Sequence, residues 1–478
     1  MSKKTVFVSG HFNVLHPGHL RLLRFARECG DRLVVGVIGD RSAGEAAYVP
    51  EELRLESIKS TSWVDEAFLI ERPINEFLAK LKPDIIVKGK EHEYAINPEK
   101  EVLDSYGGKL VFSSGEVVFS SVDLIRKEVK LFEKSSIEQP LSFLSRHNIS
   151  PDRLKELLGK FSRNRVCVLG DLIVDEYITC QPLGMSQEEP VVVVTPVDQM
   201  TFLGGAGIVA GHAAGLGATV SFISVAGQDD AREFAYAKLT ESGVNSYILE
   251  DDSRPTTRKQ RFRSGGRSLL RVSHLHQDAI SRRIQQQVLD RVDSLLDNID
   301  LLVFSDFNYG CLPQELVNEI SEKAQQKGIM MAADSQASSQ VGDISRFRGM
   351  TLITPTEHEA RISLRNNEDG LIVLTDRLRQ ASGAKHVLVK LGEEGLLIHT
   401  GNTEGDRWLT DKINALNRAP KDVAGAGDSL LITSALTLAC GGNIWEASCL
   451  GSLAAGIQVG RIGNTPLQTQ DLMEELSF

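Results

Sequence analysis

The sequence predicts an α/β protein with more than one domain. Its 478 residues exceed what one ordinary core organises, since domains usually hold about 100–200 residues. Short apolar runs alternate with amphipathic stretches, a pattern that builds a parallel sheet covered by helices. Strand signals stop between about residues 132 and 163. We therefore expect a first domain over residues 1–131, a linker with a helix over 132–163 and a second domain over 164–478.

The expected elements follow the alternation of apolar and polar residues in each domain. In the first domain we predict strands at 6–8, 33–37, 67–70, 85–87 and 110–112, and helices at 18–29 and 51–60. In the linker, Ser150 followed by Pro151 predicts the start of a helix. In the second domain we predict strands at 166–171, 191–195, 220–225, 301–305, 330–334, 351–354, 386–390 and 395–399, and helices at 231–242, 280–296, 314–327 and 428–440.

Charge and composition exclude several classes of protein. The net charge of -11 argues against a nucleic-acid binder, because a phosphate backbone is neutralised by a basic surface. No apolar run approaches the roughly 20 residues that span a bilayer, and no signal-peptide core follows Met1. The six cysteines are scattered without a CxxC pair, which argues against a zinc site. We expect a cytoplasmic protein that contacts neither membrane nor nucleic acid.

The first distinctive motif, residues 9–19, joins the first predicted strand to the first long helix. Free N–H groups and the positive end of the dipole make such a helix start a phosphate site. Gly10 and Gly18 allow the backbone to approach a ligand, and His16 and His19 can face one ligand from the same turn. Two imidazoles donating to a triphosphate would stabilise charge as its α-phosphorus is attacked. A His-pair metal site and an ordinary capping turn are the alternatives.

These residues resemble the HxGH signature of the cytidylyltransferase-like nucleotidyltransferases, and the similarity extends over about residues 5–130. Residues 87–89, Val-Lys-Gly, resemble the family's second phosphate-binding element, and residues 119–121, Phe-Ser-Ser, a segment that contacts the nucleotide. The resemblance implies a Rossmann-like domain in which His16 and His19 stabilise the transition state and Lys88 neutralises phosphate charge. It implies nucleotide contacts from Gly10, Phe12, Gly18, Ser120 and Ser121. Asn13 stands where the family commonly has Asp.

The second motif, residues 422–428, reads Asp-Val-Ala-Gly-Ala-Gly-Asp before a helical stretch. Successive small residues let backbone N–H groups turn toward one anion at a helix start. Asp428 would repel a phosphate bound there, but it is well placed to remove a proton from an attacking hydroxyl. The alternative is a glycine-rich turn whose Asp favours the helix dipole.

The span from about 165 to 475 resembles the ribokinase-like sugar kinases of the phosphofructokinase B group, which carry a small β lid. The matching elements are Gly170-Asp171 with Asp175, Gly204-Gly205-Ala206, Thr354-Pro355 with Glu359, residues 390–395 and residues 422–428. The resemblance implies that Asp428 is the base and that Glu359 helps organise Mg²⁺. It implies a nucleotide site formed by Lys390, Gly392, Gly395, Gly425, Ala426 and Gly427. It implies a sugar site that includes Asp171, Asp175, Gly204 and Gly205.

The basic stretch from Arg258 to Arg263, followed by Arg267 and Arg271, alternates as a strand does. In this fold it would lie near the lid, where Arg261 could clamp a substrate phosphate. A solvated basic edge strand is the alternative.

Several positions depart from the family's sugar pocket. Ile208 stands in place of the Asn of a GGxxN element, and Thr356 in place of the Asn of an NxxE element. Residues 306–310, Asp-Phe-Asn-Tyr-Gly, lack the Lys of the heptose kinases' DYxKG element, and residues 334–336, Asp-Ser-Gln, stand where these kinases have DPKG. A site that hydrogen-bonds its substrate rejects others strongly, so these changes indicate an altered or lost substrate.

Both domains together resemble the bifunctional enzymes that make ADP-heptose, with the order of the two domains reversed. The resemblance implies ATP-dependent phosphorylation of a sugar or sugar phosphate, then nucleotidyl transfer from ATP or CTP to give a nucleotide-activated sugar and pyrophosphate. Mg²⁺ and a homodimer or higher homo-oligomer are expected. The alternative is an active transferase whose kinase domain is a scaffold, a dimerisation module or a ligand-binding regulator. A dinucleotide-binding oxidoreductase is weaker, because histidines rather than GxGxxG follow the first strand.

Overall fold

A computed structural model describes most of the chain. The described residues are 4–15, 17–43, 47–71, 74–89, 97–112, 137–265, 267–336, 342–401 and 409–476. Contacts divide the chain into two compact units, Met1–Lys134 and Ser135–Phe478. No helix among the described residues is both long and apolar enough to cross a membrane.

The first unit is built on a parallel sheet of five strands in the order β3-β2-β1-β4-β5. The strands are β1 (Thr5–Gly10), β2 (Arg32–Ile38), β3 (Glu66–Ile70), β4 (Ile85–Lys88) and β5 (Lys109–Phe112). The described helices are Pro17–Glu28, Asp40–Ala43, Glu51–Lys59, Ile74–Leu81 and Glu99–Asp104. The strand order reverses between β1 and β4, and ligands of open α/β sheets bind where such a reversal occurs. The carboxyl ends of β1 and β4 are therefore the expected site.

The second unit has a nine-stranded central sheet in the order β10-β9-β6-β13-β14-β15-β16-β17-β18, parallel as far as β16. Its strands are β6 (Arg165–Gly170), β9 (Thr219–Ala226), β10 (Asn245–Glu250), β13 (Leu301–Asp306), β14 (Met330–Ser335), β15 (Leu352–Ile353), β16 (His386–Lys390), β17 (Leu396–Thr400) and β18 (Thr410–Ile413). Helices lie between many of them: Ala206–Gly215, Asp230–Glu241, Arg282–Leu295, Gln314–Gln326, Glu357–Leu364 and Leu371–Ser382. The helices Ala426–Ala439, Ile444–Val459 and Thr469–Glu475 follow β18. Two large apolar clusters fill the space between this sheet and its helices.

A separate four-stranded sheet, here called the lid sheet, completes the second unit. It has the order β12-β11-β7-β8 and consists of β7 (Leu172–Met185), β8 (Val192–Gly205), β11 (Thr257–Ser264) and β12 (Arg267–His274). β7 begins two residues after β6 ends, and β8 leads directly into the helix Ala206–Gly215. The lid sheet is thus attached where strand β6 leaves the central sheet.

The described part of the expected linker, residues 137–163, packs on the second unit. It forms the helices Leu141–Arg146 and Pro151–Lys160 and a 3-10 turn, Phe161–Arg163. Phe143, Leu154 and Phe161 from this segment are buried in the unit's larger apolar cluster. Ser150 caps the second helix by accepting from the Arg153 N–H, with Pro151 in the first turn. This segment is part of the second unit's core.

Candidate active sites

The turn after β1 holds two aromatic rings against each other. Phe12 adopts a positive φ of 48° and is buried. Its ring lies edge-on to the ring of His19, with centroids 5.0 Å apart. His19 Nδ1 lies 3.1 Å from the Val14 carbonyl oxygen, in the first turn of the helix Pro17–Glu28. The structure therefore fixes the His19 ring at the start of this helix, which also includes Gly18; His16, Ser120 and Ser121 lie outside the described residues.

Arg54 organises the same edge of the first sheet, and sequence reasoning did not single it out. Its side chain is fully buried on the helix Glu51–Lys59. It donates to the carbonyl oxygens of His11 at 2.6 Å, Ile38 at 2.8 Å and Val49 at 2.7 Å, and to Asp40 Oδ1 at 2.5 Å. One guanidinium thus holds together the segments that follow β1 and β2. An Arg on a helix whose apolar residues do not mark one face gives no sequence signal of such burial.

Lys88 ends β4 beside the point where the strand order reverses. Its ammonium donates to Glu99 Oε1 at 2.9 Å, and both side chains are largely buried. Glu99 Oε2 has no hydrogen-bond partner within the described part of the chain. The charge that sequence reasoning reserves for phosphate is therefore paired with a carboxylate in this structure.

In the second unit, residues 422–428 form a tight turn into the helix Ala426–Ala439. Gly425 has a φ of 75°, and any Cβ there would collide with Asn464 Oδ1, so glycine is required. Asp428 lies in the first turn of this helix and is only 5% exposed. Its Oδ1 has no hydrogen-bond partner among the described residues. Burial and the nearby Asp334 raise the pKa of Asp428 to about 7, although Lys390 opposes this rise.

Lys390 and Asp334 form a buried ion pair beside this turn. Lys390 Nζ donates to both carboxylate oxygens of Asp334 at 2.9 Å, and the Thr354 hydroxyl donates to Oδ1 at 3.1 Å. A Cβ built on Gly427 would lie 3.2 Å from Lys390 Nζ, so the ammonium lies directly against the turn. Burial raises the pKa of Asp334 to about 6 despite its cationic partner. The start of the helix Ala426–Ala439 thus combines a cation, Lys390, with a carboxylate of raised pKa, Asp428.

Asp175 on β7 faces the same region from the lid sheet. It is buried, and its Oδ1 has no hydrogen-bond partner among the described residues, although Arg261 Nη2 lies 3.7 Å away. A Cβ on Gly204 would collide with Asp175 Oδ2, so the absent side chain makes room for this carboxylate. Burial raises the pKa of Asp175, and Asp175 in turn helps raise that of Asp428. Three predicted sugar-site residues, Asp175, Gly204 and Arg261, therefore lie together.

Asp171 has contacts that sequence reasoning did not foresee. Its carboxylate accepts from the backbone N–H groups of Phe307 at 2.8 Å, Tyr309 at 3.3 Å and Cys311 at 3.2 Å. Burial and the neighbouring Asp306 raise its pKa to about 6. The Asp171 carboxylate thus fastens the loop after β13. Gly205 beside it starts the helix Ala206–Gly215 with a φ of 56°.

Glu359 forms a capping box at the start of the helix Glu357–Leu364. Its Oε2 accepts from the Thr356 N–H at 2.7 Å, and the Thr356 hydroxyl accepts from the Glu359 N–H at 3.2 Å. Glu359 is also close enough to influence the pKa of Lys390, which it raises together with Asp334 against the effect of burial. The Glu359 carboxylate thus interacts electrostatically with Lys390, the cation beside the Asp428 turn. Gly392 and Gly395 lie in the turn from β16 to β17.

Lys259 on β11 places a cation over two aromatic rings. Its Nζ lies 5.1 Å from the ring centroids of both Phe307 and Tyr309. The same ammonium partly opposes the rise in the pKa of Asp175 and of Asp428. The lid sheet therefore supplies positive charge close to the loop 306–310, which lacks the Lys of the DYxKG element.

The model of the pfkB family of carbohydrate kinases matches residues 163–470, which is more than half of the chain. The chain belongs to the pfkB family. A second model, the cytidylyltransferase-like family, matches residues 7–133. The expectation of a Rossmann-like nucleotidyltransferase-type domain followed by a ribokinase-like domain is confirmed.

Relatives of this pfkB-family chain are named Bifunctional protein HldE. The protein of Desulfatibacillum aliphaticivorans is 31% identical over 321 residues, covering 66% of this chain and 64% of the relative. That of a Nitratiruptor species is 30% identical over 313 residues, covering 65% of this chain and 64% of the relative. The matched region is thus less than two thirds of these relatives' length.

Solved structures share the pfkB fold of the second unit. Escherichia coli phosphofructokinase-2 in complex with substrates and products aligns with a TM-score of 0.54 and 18% identity, over 66% of this chain and 98% of that one. Arabidopsis thaliana ribokinase complexed with ribose and ATP aligns with a TM-score of 0.52 and 17% identity, over 66% and 99%. At these identities the likeness is one of fold.

Ile208 accounts for one departure from the pfkB sugar pocket. It is fully buried on the helix Ala206–Gly215 within the larger apolar cluster. An Asn there would need hydrogen bonds that this apolar surrounding does not offer. Asp306, at another altered element, accepts from Arg346 Nη2 at 2.8 Å and from the Ser335 hydroxyl at 2.7 Å.

Proposed function

We propose that the second unit transfers the γ-phosphoryl group of ATP to a hydroxyl of a sugar or sugar phosphate. The observation that carries this is Asp428, a buried carboxylate with a pKa of about 7 at the N-terminal turn of a helix. In the proposed step the hydroxyl oxygen attacks the γ-phosphorus, its proton passes to Asp428, and ADP leaves. The N–H groups of Gly425, Ala426 and Gly427 stabilise the charge on the transferred group.

The acceptor in this proposal binds between the lid sheet and the Asp428 turn. Asp175 has an oxygen available to accept from a sugar hydroxyl, and the missing side chain of Gly204 allows close approach. Arg261 and Lys259 bring two cations to the same side, which favours an acceptor that already carries a phosphate. Asp171 stays a proposed member of this set: it accepts from three backbone amides, and a carboxylate has about four acceptor sites.

ATP in this reaction would be bound with Mg²⁺. No group of three or more His, Cys, Asp or Glu side chains among the described residues is arranged to hold a metal. Mg²⁺ usually keeps several waters and takes one or two carboxylates plus substrate phosphates, so Glu359 beside the turn suffices for it. When bound, the ion neutralises charge on the β- and γ-phosphates. Lys390 and Gly392 to Gly395 would lie along the nucleotide.

For the first unit we propose nucleotidyl transfer from ATP or CTP to a sugar phosphate. Three features support a triphosphate-binding site at the carboxyl end of β1: His19 at a helix start, Gly10 before that helix, and Arg54, which donates to the His11 carbonyl. His16, Ser120 and Ser121 are proposed members of this site from the sequence. Lys88 would exchange Glu99 for phosphate as its partner. Together the two units would turn an acceptor into a nucleotide-activated sugar and pyrophosphate.

The experiment incubates the protein with Mg²⁺, ATP or CTP, and a panel of sugars and sugar phosphates, with products identified by mass spectrometry. Asp428→Asn should abolish the phosphorylated product, whereas Asp230→Asn, in the first turn of a helix outside the site, should not. His16→Ala and His19→Ala should abolish pyrophosphate release alone. Phosphorylation that persists in Asp428→Asn would refute the proposed base.

The changed sugar pocket supports a second candidate for the pfkB unit, a non-catalytic ligand-binding role. Ile208 in the core, the lack of a lysine in residues 306–310 and Gln336 in place of the lysine of DPKG favour it. The same panel decides between the two: nucleotide binding without any phosphorylated product from the wild type would establish this second role.

We also propose that the protein is a homodimer formed through the lid sheet. β7 pairs with β8 as far as Met185 and Val192, whereas β11 accompanies β7 only to Thr179. The remaining two-stranded arm exposes Leu183, Met185, Val192 and Val197, and isolated two-stranded hairpins are only marginally stable in water. A second copy would cover this apolar surface by a two-fold contact. Val197→Lys should give a monomer in light scattering, and an unchanged mass would refute this interface.

A further inference from the structure

Tyr177 connects the lid sheet to the turn that contains the Gly425 to Asp428 motif. It lies on β7, and its side chain is 2% exposed. Its hydroxyl donates to Asp422 Oδ2 at 2.7 Å. A buried tyrosine hydroxyl usually finds such a partner, but Asp422 belongs to the turn of residues 422–428, here called the phosphate turn, rather than to the lid sheet. The bond therefore crosses between two functional parts of the unit.

Asp422 holds the shape of that turn. Its Oδ1 accepts from the Ala424 N–H at 3.1 Å, and its Oδ2 accepts from the Gly463 N–H at 3.2 Å. Gln458 Nε2 braces the same two residues from the other side, donating to the Ala424 carbonyl at 3.2 Å and the Gly463 carbonyl at 3.0 Å. Gly425, which starts the helix, follows directly. The direction of the N–H groups after Ala424 thus depends on Asp422 staying in place.

The ring of Tyr177 lies against two guanidinium groups, one of them that of Arg261, a cation of the proposed acceptor site. The guanidinium carbons of Arg261 and Arg263 lie 5.2 and 5.1 Å from the ring centroid. Arg261 is also the cation 3.7 Å from Asp175. Phe202, from the neighbouring strand, packs edge-on against the ring at 5.2 Å. One side chain thus contacts the acceptor cation Arg261 with its ring and Asp422, at the turn before Gly425, with its hydroxyl.

We infer that Tyr177 is a positioning residue that couples the seating of the lid sheet and its acceptor cations to the alignment of the anion-binding N–H groups of Gly425 to Gly427. The inference rests on the proposed phosphoryl transfer. Stabilisation of transferred charge requires donors that are fixed before the reaction. Without the hydroxyl, Asp422 loses a hydrogen bond from the lid, and the turn is held by its own loop and Gln458. The loss weakens transition-state stabilisation more than ground-state binding of ATP.

The activity test uses Tyr177→Phe, which keeps the ring, its two cations and the Phe202 contact and removes only the hydroxyl. Tyr247→Phe is the matched control, because the Tyr247 ring also lies against a guanidinium, that of Arg291 at 3.7 Å, on the outer strand β10. We expect kcat for phosphoryl transfer to fall about tenfold in Tyr177→Phe, with KM for ATP within about twofold. The control should match the wild type. A rise in KM alone, or no change, would overturn the inference.

Amide hydrogen exchange gives a readout that needs no turnover. Peptides that contain residues 423–428 should exchange about tenfold faster in Tyr177→Phe than in the wild type, both with a non-hydrolysable ATP analogue bound, and Tyr247→Phe should not differ. Asp422→Asn alone and combined with Tyr177→Phe completes the cycle, in which the double variant should add little to either single change. Wild-type exchange in Tyr177→Phe, or strictly additive effects, would overturn the inference. If the wild-type protein shows no phosphoryl transfer, that result refutes the proposed function instead. The hydrogen-exchange comparison would still decide whether Tyr177 holds the turn.

Discussion

Replacing Asp428 by Asn should abolish phosphoryl transfer and stabilise the second unit at the same time. The ordinary pKa of 3.8 rises to about 7 in the folded protein because the carboxylate is buried near Asp334. At pH 8 the unfolded chain is ionised without cost, whereas the folded protein carries a buried charge that its site disfavours. A shift of about three units corresponds to about 4 kcal/mol, and the neutral amide of Asn avoids this cost.

The direction of the pKa shift of Asp428 determines how the stability gained by Asp428→Asn depends on pH. Because the folded pKa is raised, the protonated carboxyl favours folding below the unfolded value, and this advantage is lost as the pH rises through about 7. The gain from Asp428→Asn should therefore be largest at pH 8, fall to about 2 kcal/mol at pH 5 and vanish below pH 3.8. The wild-type rate should rise with pH and reach half its maximum near pH 7, as the base loses its proton.

The assay is urea denaturation of the second unit's transition at pH 8 and pH 5, together with phosphoryl transfer at pH 8. Asp229→Asn is the control of opposite sign, because hydrogen bonds from Thr256 and Arg232 outweigh burial and hold the pKa of Asp229 below its usual value. It should give no stability gain at pH 8. General-base catalysis contributes about 10²–10⁴-fold, so the rate in Asp428→Asn should fall at least a hundredfold. An active variant without added stability would refute the reasoning.

Three further predictions follow from buried contacts. Lys390→Met should destabilise the second unit by about 3–5 kcal/mol in thermal unfolding, because it leaves the Asp334 charge buried without its ammonium partner. Adding Asp334→Asn should recover much of this loss. Equal stability of the single and double variants would contradict the prediction. Arg54→Met should lower the unfolding midpoint of the first unit and reduce pyrophosphate release, because three carbonyl oxygens lose their donor; a midpoint equal to the wild type would contradict it. Glu359→Gln should keep the capping box but raise the Mg²⁺ concentration needed for half-maximal phosphorylation. Glu446→Gln, in the capping box with Asn443, should leave this Mg²⁺ requirement unchanged, although it also weakens the ion pair with Arg153. An unchanged Mg²⁺ requirement in Glu359→Gln would remove Glu359 from the metal site.

The sequence predicted most central strands of both units but missed several helices and much of the lid sheet. Central strands are continuous apolar runs because both faces are covered, so they are recognisable. The helices Ala206–Gly215 and Ile444–Val459 are buried nearly all round and show no amphipathic period. β7 changes along its length from buried to exposed on both sides, so no alternation marks its second half. Where burial does not follow a regular period, the pattern carries no signal.

Candidate site residues were predictable where a motif joins a strand or turn to a helix start. Chemistry at a helix start needs small residues and a reactive group in sequence, as in residues 9–19 and 422–428. The sequence could not distinguish the contacts of Asp171 from those of Asp175. Both residues follow one strand, and their partners, the Phe307 loop and Arg261, are distant in sequence. Tyr177 and Arg54 were missed for the same reason. Their importance lies in partners that only the folded chain brings to them.

We propose that one chain carries two sites that act in succession on one acceptor. Two singly disabled proteins, Asp428→Asn and His19→Ala, test it most directly when each is incubated alone and then mixed with Mg²⁺, the nucleoside triphosphate and the acceptor that the wild type converts. Each alone should form no nucleotide-activated sugar, His19→Ala should accumulate the phosphorylated acceptor, and the mixture should restore the final product. Product from either variant alone, or none from the mixture, would contradict the account.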